Sequence, residues 1–259
     1  MRALGFIAAG HTDVGRHREV NEDAYALIPE ERLWVLADGM GGHASGQVAS
    51  QMAIEKICDF IARWRHEPDF EWPFEIMESR SHAENSLVNA VRVANVRIYN
   101  RSQVDEECEG MGTTVVVMTY SDDVGFVIAH VGDSRCYRLR RNEFRQLTED
   151  HSLVNHLMRF FHLSEADAKA RAGSNVIVRA VGLEDDVDAD LTVDQPEVGD
   201  LYMACSDGLS DLVEDWIVQQ ILIGNQDAPE EAARALVRAA NQAGGTDNIT
   251  VLIVKVVGG

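Results

Sequence analysis

Short apolar runs separated by glycine, aspartate and serine recur along this chain, at residues 5–10, 32–37, 113–120, 124–131, 136–139, 200–205 and 249–257. Each is rich in valine, isoleucine and leucine and stops at a turn-forming residue, which predicts β-strands. Val187, Leu191 and Val193 suggest a further strand with an acidic outer face. Two longer stretches carry a helical period instead. Ala53, Ile57, Phe60, Ile61 and Trp64 share one face of the first. Leu87, Val91, Ala94 and Ile98 share one face of the second, and a capping box from Ser81 to Glu84 marks its start. A third helix near residues 227–242 has Asp227 and Glu230 at reciprocal capping positions and ends at Gly244-Gly245, and a shorter one begins at Ser164. Strands arrive in groups rather than alternating with helices, which favours a layered α+β architecture over a doubly wound one. With no repeat, linker or low-complexity segment, the 259 residues are expected to form one domain.

An apolar fraction of 46% fits a globular protein and argues against disorder. Lys and Arg number 23 against 43 Asp and Glu, a net charge of −20 that repels nucleic acid and anionic lipid. Cys58, Cys108, Cys136 and Cys205 are scattered with no C-x-x-C pair, which offers neither a zinc site nor a disulfide framework and fits a reducing cytoplasm. The opening apolar residues 3–9 have only Arg2 as a basic flank and run straight into a polar, charged stretch. They read as a first strand rather than a signal-peptide core. No apolar stretch is long enough to cross a membrane.

The chemistry lies where apolar runs end in aspartate: Val35-Leu36-Ala37-Asp38-Gly39, Ala129-His130-Val131-Gly132-Asp133 and Met203-Ala204-Cys205-Ser206-Asp207-Gly208. The last run is instead preceded by one, in Gly245-Thr246-Asp247-Asn248. A single Asp-Gly is ordinarily a turn. Several acids at the edges of core strands repel one another unless cations compensate them. Oxygen ligands without cysteine or histidine clusters point to Mg²⁺ or Mn²⁺ rather than zinc. Gly39, lacking a side chain, leaves its own carbonyl open to a ligand. Upstream, Arg18 lies just before the pair Glu22 and Asp23, where a guanidinium can grip phosphate oxygens beside a carboxylate site or form an ordinary salt bridge.

Taken in order, Arg18-x-x-Asn21-Glu22-Asp23, Ala37-Asp38-Gly39-Met40-Gly41-Gly42-His43, Gly110-Met111-Gly112-Thr113-Thr114, Val131-Gly132-Asp133-Ser134-Arg135, Ser206-Asp207-Gly208-Leu209-Ser210-Asp211 and Thr246-Asp247-Asn248-Ile249-Thr250 resemble the protein phosphatase 2C family of metal-dependent protein phosphatases, in its compact bacterial branch. The resemblance implies a four-layer α-β-β-α sandwich of two mainly antiparallel sheets flanked by helices. It implies a serine/threonine phosphatase with two Mn²⁺ or Mg²⁺ ions and a metal-activated water as nucleophile, with no phospho-enzyme. Asp38 would bridge both ions, the Gly39 carbonyl would bind one, Asp207 and Asp247 would complete the ligand set of the first ion, and Glu22 would serve the second, partly through water. Asp23 would orient bound water, Arg18 would bind phosphate, and Asp133 with Asp211 would hold a weaker third ion. Residues 150–179 match the family's flap, where Phe160-Phe161-His162 offers an exposed patch or packs onto the domain. The implied partners are phosphorylated proteins and a cognate serine/threonine kinase, and the chain itself is expected to be a cytoplasmic monomer. Met40 stands where eukaryotic members carry histidine, so the general acid is unassigned, with nearby His43 a candidate or simply a surface residue.

Other chemistries fit less well. Residues 186–197 have the acidic spacing of a calcium loop, but Leu191 occupies the position that needs glycine. A thiol phosphatase needs arginine six positions after cysteine, and this chain has Trp64, Thr114, Asn142 and Asp211 there. No G-x-x-x-x-G-K-[ST] loop is present. Two relatives of the main reading stay open: a catalytically silent phosphoprotein- or kinase-binding module, and a small-molecule phosphomonoesterase on the same scaffold.

Overall fold

The apolar runs are continuous rather than alternating because most of their strands are covered on both faces. A computed structural model of the chain describes residues 4–42, 45–172 and 176–259. One sheet holds, in spatial order, β2 (Asp23–Ile28), β3 (Leu33–Met40), β5 (Val115–Ser121), β6 (Gly125–Val131) and β9 (Asp190–Asp194), with β4 (Gly112–Thr113) also paired to β3. The other holds β1 (Leu4–Asp13), β11 (Ile249–Gly258), β10 (Leu201–Cys205), β7 (Arg135–Arg140) and β8 (Glu143–Gln146). Every pairing in both sheets is antiparallel.

Period-two alternation divides each strand between two cores. Leu33, Val35 and Ala37 join Val115, Val117, Val127 and Ala129 against α1 (Ser45–His66) and α2 (His82–Val104). Trp34, Leu36, Val116, Met118, Phe126 and Ile128 face inward and meet Cys136, Tyr202, Ala204, Leu252 and Val254 of the second sheet. That sheet's outer face, with Tyr137, Leu139, Met203, Val251 and Ile253, is covered by a helical layer. Its helices are α5 (Asp207–Ser210), α6 (Asp215–Gly224) and α7 (Pro229–Gln242). The result is the expected α-β-β-α sandwich. Between the sheets the rings of Trp34 and Phe126 stack at 5.4 Å, and those of Phe126 and Tyr202 at 4.1 Å.

Both long helices bury the faces that their periodicity marks, and the Ser81–Glu84 capping box is formed. Ser164 Oγ accepts the Asp167 N–H at the start of the short helix α4 (Glu165–Ala172). α7 departs from expectation. It begins at Pro229, which presets the first helical φ and needs no N–H partner, and Asp227 makes no cap but pairs with Lys255. α3 (Leu153–Phe161) also arises within the 150–179 segment, capped by Ser152, and leaves Phe160 and Phe161 exposed.

The registers place the functional strand ends together. Asp23 pairs with Asp38, Val115 with Val131, Cys205 with both Arg135 and Val251, and Asp13 with Ile249. The strand ends that carry or adjoin Asp13, Asp23, Asp38, Asp133, Asp207 and Asp247 therefore lie at one end of their sheets. Because Phe126 is sandwiched between two rings at the centre, Phe126→Ala should cost about 3–5 kcal/mol in urea denaturation. A loss below about 1 kcal/mol would contradict the two-sheet core.

Candidate metal centre

The ladder register carries each acid to its place. β2 and β3 set Asp23 opposite Asp38, and the Gly39 N–H donates to the Glu22 carbonyl at 3.2 Å. The Asp38 carbonyl accepts from the Thr114 N–H and from Thr113 Oγ1, both at 2.8 Å. From the second sheet, β10 ends just before Ser206-Asp207. Ser206 Oγ donates to Asp23 Oδ2 at 2.8 Å and accepts the Thr250 N–H at 2.9 Å, binding one sheet's acid to the other sheet.

Asn248 is the hub of this end. Its Oδ1 accepts the Glu22 N–H at 2.8 Å, and its Nδ2 donates to the Val14 and Val20 carbonyls at 2.9 Å. One buried amide thus folds residues 14–22 over the start of β11. Glycine is required where the backbones meet. A Cβ on Gly39 would fall 2.1 Å from the Gly46 carbonyl oxygen, and one on Gly46 would fall 2.6 Å from Glu22 Oε1.

The electrostatics are those of acids forced together. Burial, then the charges of Asp23, Asp207, Asp133 and Asp247, push Asp38 well above the usual carboxylate range. Burial and the charges of Asp133, Asp211, Asp247 and Asp23 do the same to Asp207. Burial lifts Asp23 to about 6 against the hydrogen bonds of Thr250, Ser206 and Asp38. Asp133 is also pushed up to about 6, by burial and then by Asp150. Glu22 is raised by burial, against the pull of Arg18. Three of the carboxylate oxygens, Glu22 Oε1, Asp23 Oδ1 and Asp133 Oδ1, are buried and have no hydrogen-bond partner. Such acceptors cost about 1–3 kcal/mol each. An all-oxygen, net-negative set with unpartnered acceptors fits hard divalent cations.

Arg18 answers part of this charge. Its half-exposed guanidinium donates to Asp247 Oδ2 at 2.7 Å, and the Asn248 N–H holds Asp247 Oδ1 at 2.8 Å. Burial works against the Arg18 charge, but Asp247, Glu22 and Asp207 hold its pKa above the ordinary value. His43 lies outside the described residues. The structure thus draws Glu22, Asp23, Asp38, Asp133, Asp207, Asp211 and Asp247 into mutual electrostatic contact, with Arg18 at the edge. The scaffold of Asn248, Ser206, Thr113, Thr114 and Gly46 goes beyond the sequence reading. Ser206 and Asn248 sit inside the quoted motifs, each one residue from an acid, Thr113 and Thr114 lie in a quoted motif with no acid beside them, and Gly46 lies outside all of them.

Among the described residues, the potential ligand atoms that come in a trio within 4.8 Å of one another belong elsewhere, to His130, His151 and Asp190. A side-chain cation already serves that trio. Arg179 Nη1 donates to Asp190 Oδ1 at 2.7 Å and lies 3.1 Å from His151 Nε2. With the Val178 N–H on the His151 carbonyl, this group clasps the two ends of the 150–179 segment.

Comparison with known proteins agrees with this architecture. The model of the family "Protein phosphatase 2C" matches residues 12–239. The chain is 37% identical over 247 residues to serine/threonine phosphatase stp of Listeria monocytogenes, covering 94% of this chain and 93% of that protein. It is 34% identical over 248 residues to protein phosphatase PhpP of Streptococcus pneumoniae, covering 94% and 95%. The crystal structure of the catalytic domain of serine/threonine protein phosphatase PstP in complex with two manganese ions superposes with a TM-score of 0.82 at 33% identity, covering 98% of this chain and all of that one. The chain belongs to the protein phosphatase 2C family.

The raised acids fix the sign of a pH effect. A carboxyl whose folded pKa is about 6 against an ordinary 3.8 stabilises the fold while protonated, and that contribution fades as pH rises through about 6. In chelator-treated protein, Asp23→Asn should therefore raise the thermal midpoint more at about pH 7.5 than at about pH 5. An equal or smaller gain at the higher pH would contradict the crowded-acid picture.

Proposed function

We propose that this chain is a metal-dependent protein serine/threonine phosphatase. The observation that carries the reading is the group of acids, drawn from both sheets of a protein phosphatase 2C fold, that suppress one another's ionisation and leave buried oxygens unpartnered. Glu22, Asp38, the Gly39 carbonyl, Asp207 and Asp247 are the residues to hold two Mn²⁺ or Mg²⁺ ions, and Asp133 with Asp211 a weaker third. When bound, such ions supply Lewis acidity, a water of lowered pKa and charge compensation for a phosphoryl group. The relative crystallised with two manganese ions supports this choice of metal.

The chain's own groups do the rest. Asp23, fixed at Oδ2 by Ser206, has Oδ1 free to accept a hydrogen bond from water. Arg18 needs only to leave Asp247 to offer its two-pronged donor face to phosphate oxygens. Asp133 and Asp211 add negative charge beside Asp207, which favours a further cation there. His43 remains a candidate general acid by position in the sequence alone. Every acid that the family resemblance calls for is present, so nothing favours a catalytically silent binding module.

The substrates are phosphorylated proteins, and a cognate serine/threonine kinase is the natural opponent of this activity. Four free cysteines, three of them buried, fit a reducing cytoplasm, and no described helix is long and apolar enough to cross a membrane. The strong negative charge favours a monomer. We take the chain as one catalytic unit, with residues 150–179 as its flap.

Asp38→Asn should lower manganese-dependent hydrolysis of a phosphothreonine peptide by about a thousandfold while leaving the circular dichroism spectrum unchanged. Turnover within about tenfold of wild type would contradict the shared-ligand role. Arg18→Ala should raise KM for the same peptide about tenfold with kcat little changed. An unaltered KM would remove Arg18 from phosphate binding.

A further inference from the structure

Beside the clasp of the 150–179 segment, a cavity of about 300 Å³ is lined by Ile177, Val178, Leu183, Glu184, Val187 and Asp188, among others. Val178 and Leu183 are 53% and 44% exposed, so this concave surface leaves apolar side chains in water. Its rim is acidic. Glu184, Asp185, Asp186 and Asp188 fall within five positions and are all exposed. Arg92 neutralises Asp186 through two hydrogen bonds, at 3.0 and 2.8 Å. Among the described residues no ion pair engages the side chains of Glu184, Asp185 or Asp188. The one basic residue of the lining, Arg179, is held by Asp190.

The groove is coupled to the acid cluster through backbone. Val181, which follows the lining residue Ala180, exchanges hydrogen bonds of 3.0 and 2.9 Å with Thr113. Thr113 Oγ1 donates to the Asp38 carbonyl at 2.8 Å. A Cβ on Gly112 would fall 2.9 Å from Leu183 Cδ2, so the groove's apolar wall presses on the strand that pairs with β3. A polypeptide seated there lies one short strand from the residue assigned to bridge the metals.

We propose that this groove docks a basic, apolar segment of the phosphoprotein substrate, in which Lys or Arg alternates with Leu, Ile or Val. Charge selects this occupant. At −20, the chain repels a second copy of itself, nucleic acid and anionic membrane, whereas a cationic segment is drawn to unpaired acids. The apolar residues of that segment cover Val178 and Leu183, and its cations meet Glu184 and Asp188 at the rim. Docking of this kind acts mainly through encounter and KM, because rim charges steer association more than they alter chemistry at a neighbouring centre. The identity of the occupant as substrate rests on the phosphatase reading. The chemistry of the groove does not.

The test uses the full chain and the double variant Glu184→Lys/Asp188→Lys, whose exposed side chains take no part in the core or the acid cluster. A fluorescently labelled, unphosphorylated Lys/Leu peptide and its Glu/Leu counterpart are titrated in turn, with anisotropy as the readout. The basic peptide should bind wild type, weaken about tenfold in the double variant, and weaken likewise in wild type at about 0.5 M salt. KM for a phosphopeptide with the basic, apolar flank should rise by a similar factor, with para-nitrophenyl phosphate hydrolysis unchanged. Equal binding of basic and acidic peptides, or equal affinity in variant and wild type, overturns the docking assignment. A wild type that binds the basic peptide but hydrolyses neither phosphate compound keeps the groove and overturns the phosphatase reading instead.

Discussion

Carboxylates that repel one another are held side by side at one end of this fold, and much of the local structure exists to hold them. Left to themselves, half-buried acids would separate or protonate. They cannot separate, because each adjoins a strand, or in the case of Asp211 the short helix α5 that follows one, and the strand ladders are fixed by cores against helices and between sheets. The cross-sheet bonds of Ser206 and the threefold hydrogen bonding of Asn248 close the remaining freedom. Protonation is the alternative response, and the raised carboxyls record it. A divalent cation relieves both difficulties at once.

The architecture was legible because strands buried on both faces read as unbroken apolar runs. β3, β5, β6 and β10 are of this kind. β8 was hidden by the opposite circumstance: at the sheet edge it exposes alternate residues and carries no apolar run. β2 was obscured because its first residue belongs to the acidic motif, so chemistry masks the strand signal. α7 gave a misleading start, since an acid two positions before Pro229 looks like a cap in sequence yet serves Lys255 in space. At the site, the acids themselves could be named from the ends of apolar runs. Their supports could not, because an asparagine that bonds Glu22, Val14 and Val20 gives no periodic signal, and its partners lie more than 220 residues away. The pairing of Arg18 with Asp247, rather than with its sequence neighbours Glu22 and Asp23, is likewise a product of the strand register.

Negative charge is used in two ways in this molecule. At the strand ends, acids are crowded and partly buried, so their charge is costly until a small cation enters. On the 184–188 rim they stand in water, where they cost little and act at a distance on a larger cationic partner. Residues 178–181 link the two: Arg179 is held by Asp190 beside His151, and Val181 is joined through Thr113 to the backbone of Asp38. Substrate recognition and phosphate chemistry can thus share one short stretch of backbone while using different side chains.

Everything in this fold's chemistry depends on whether the acids of the two sheets hold cations together. Anomalous diffraction from crystals soaked in manganese measures this directly, since the anomalous signal tells manganese apart from water and lighter ions. Strong peaks are expected among Glu22, Asp38, Asp207 and Asp247, with a weaker one between Asp133 and Asp211. Peaks confined to His130, His151 and Asp190, or a map with no manganese among the aspartates, would contradict shared cation binding by the two sheets.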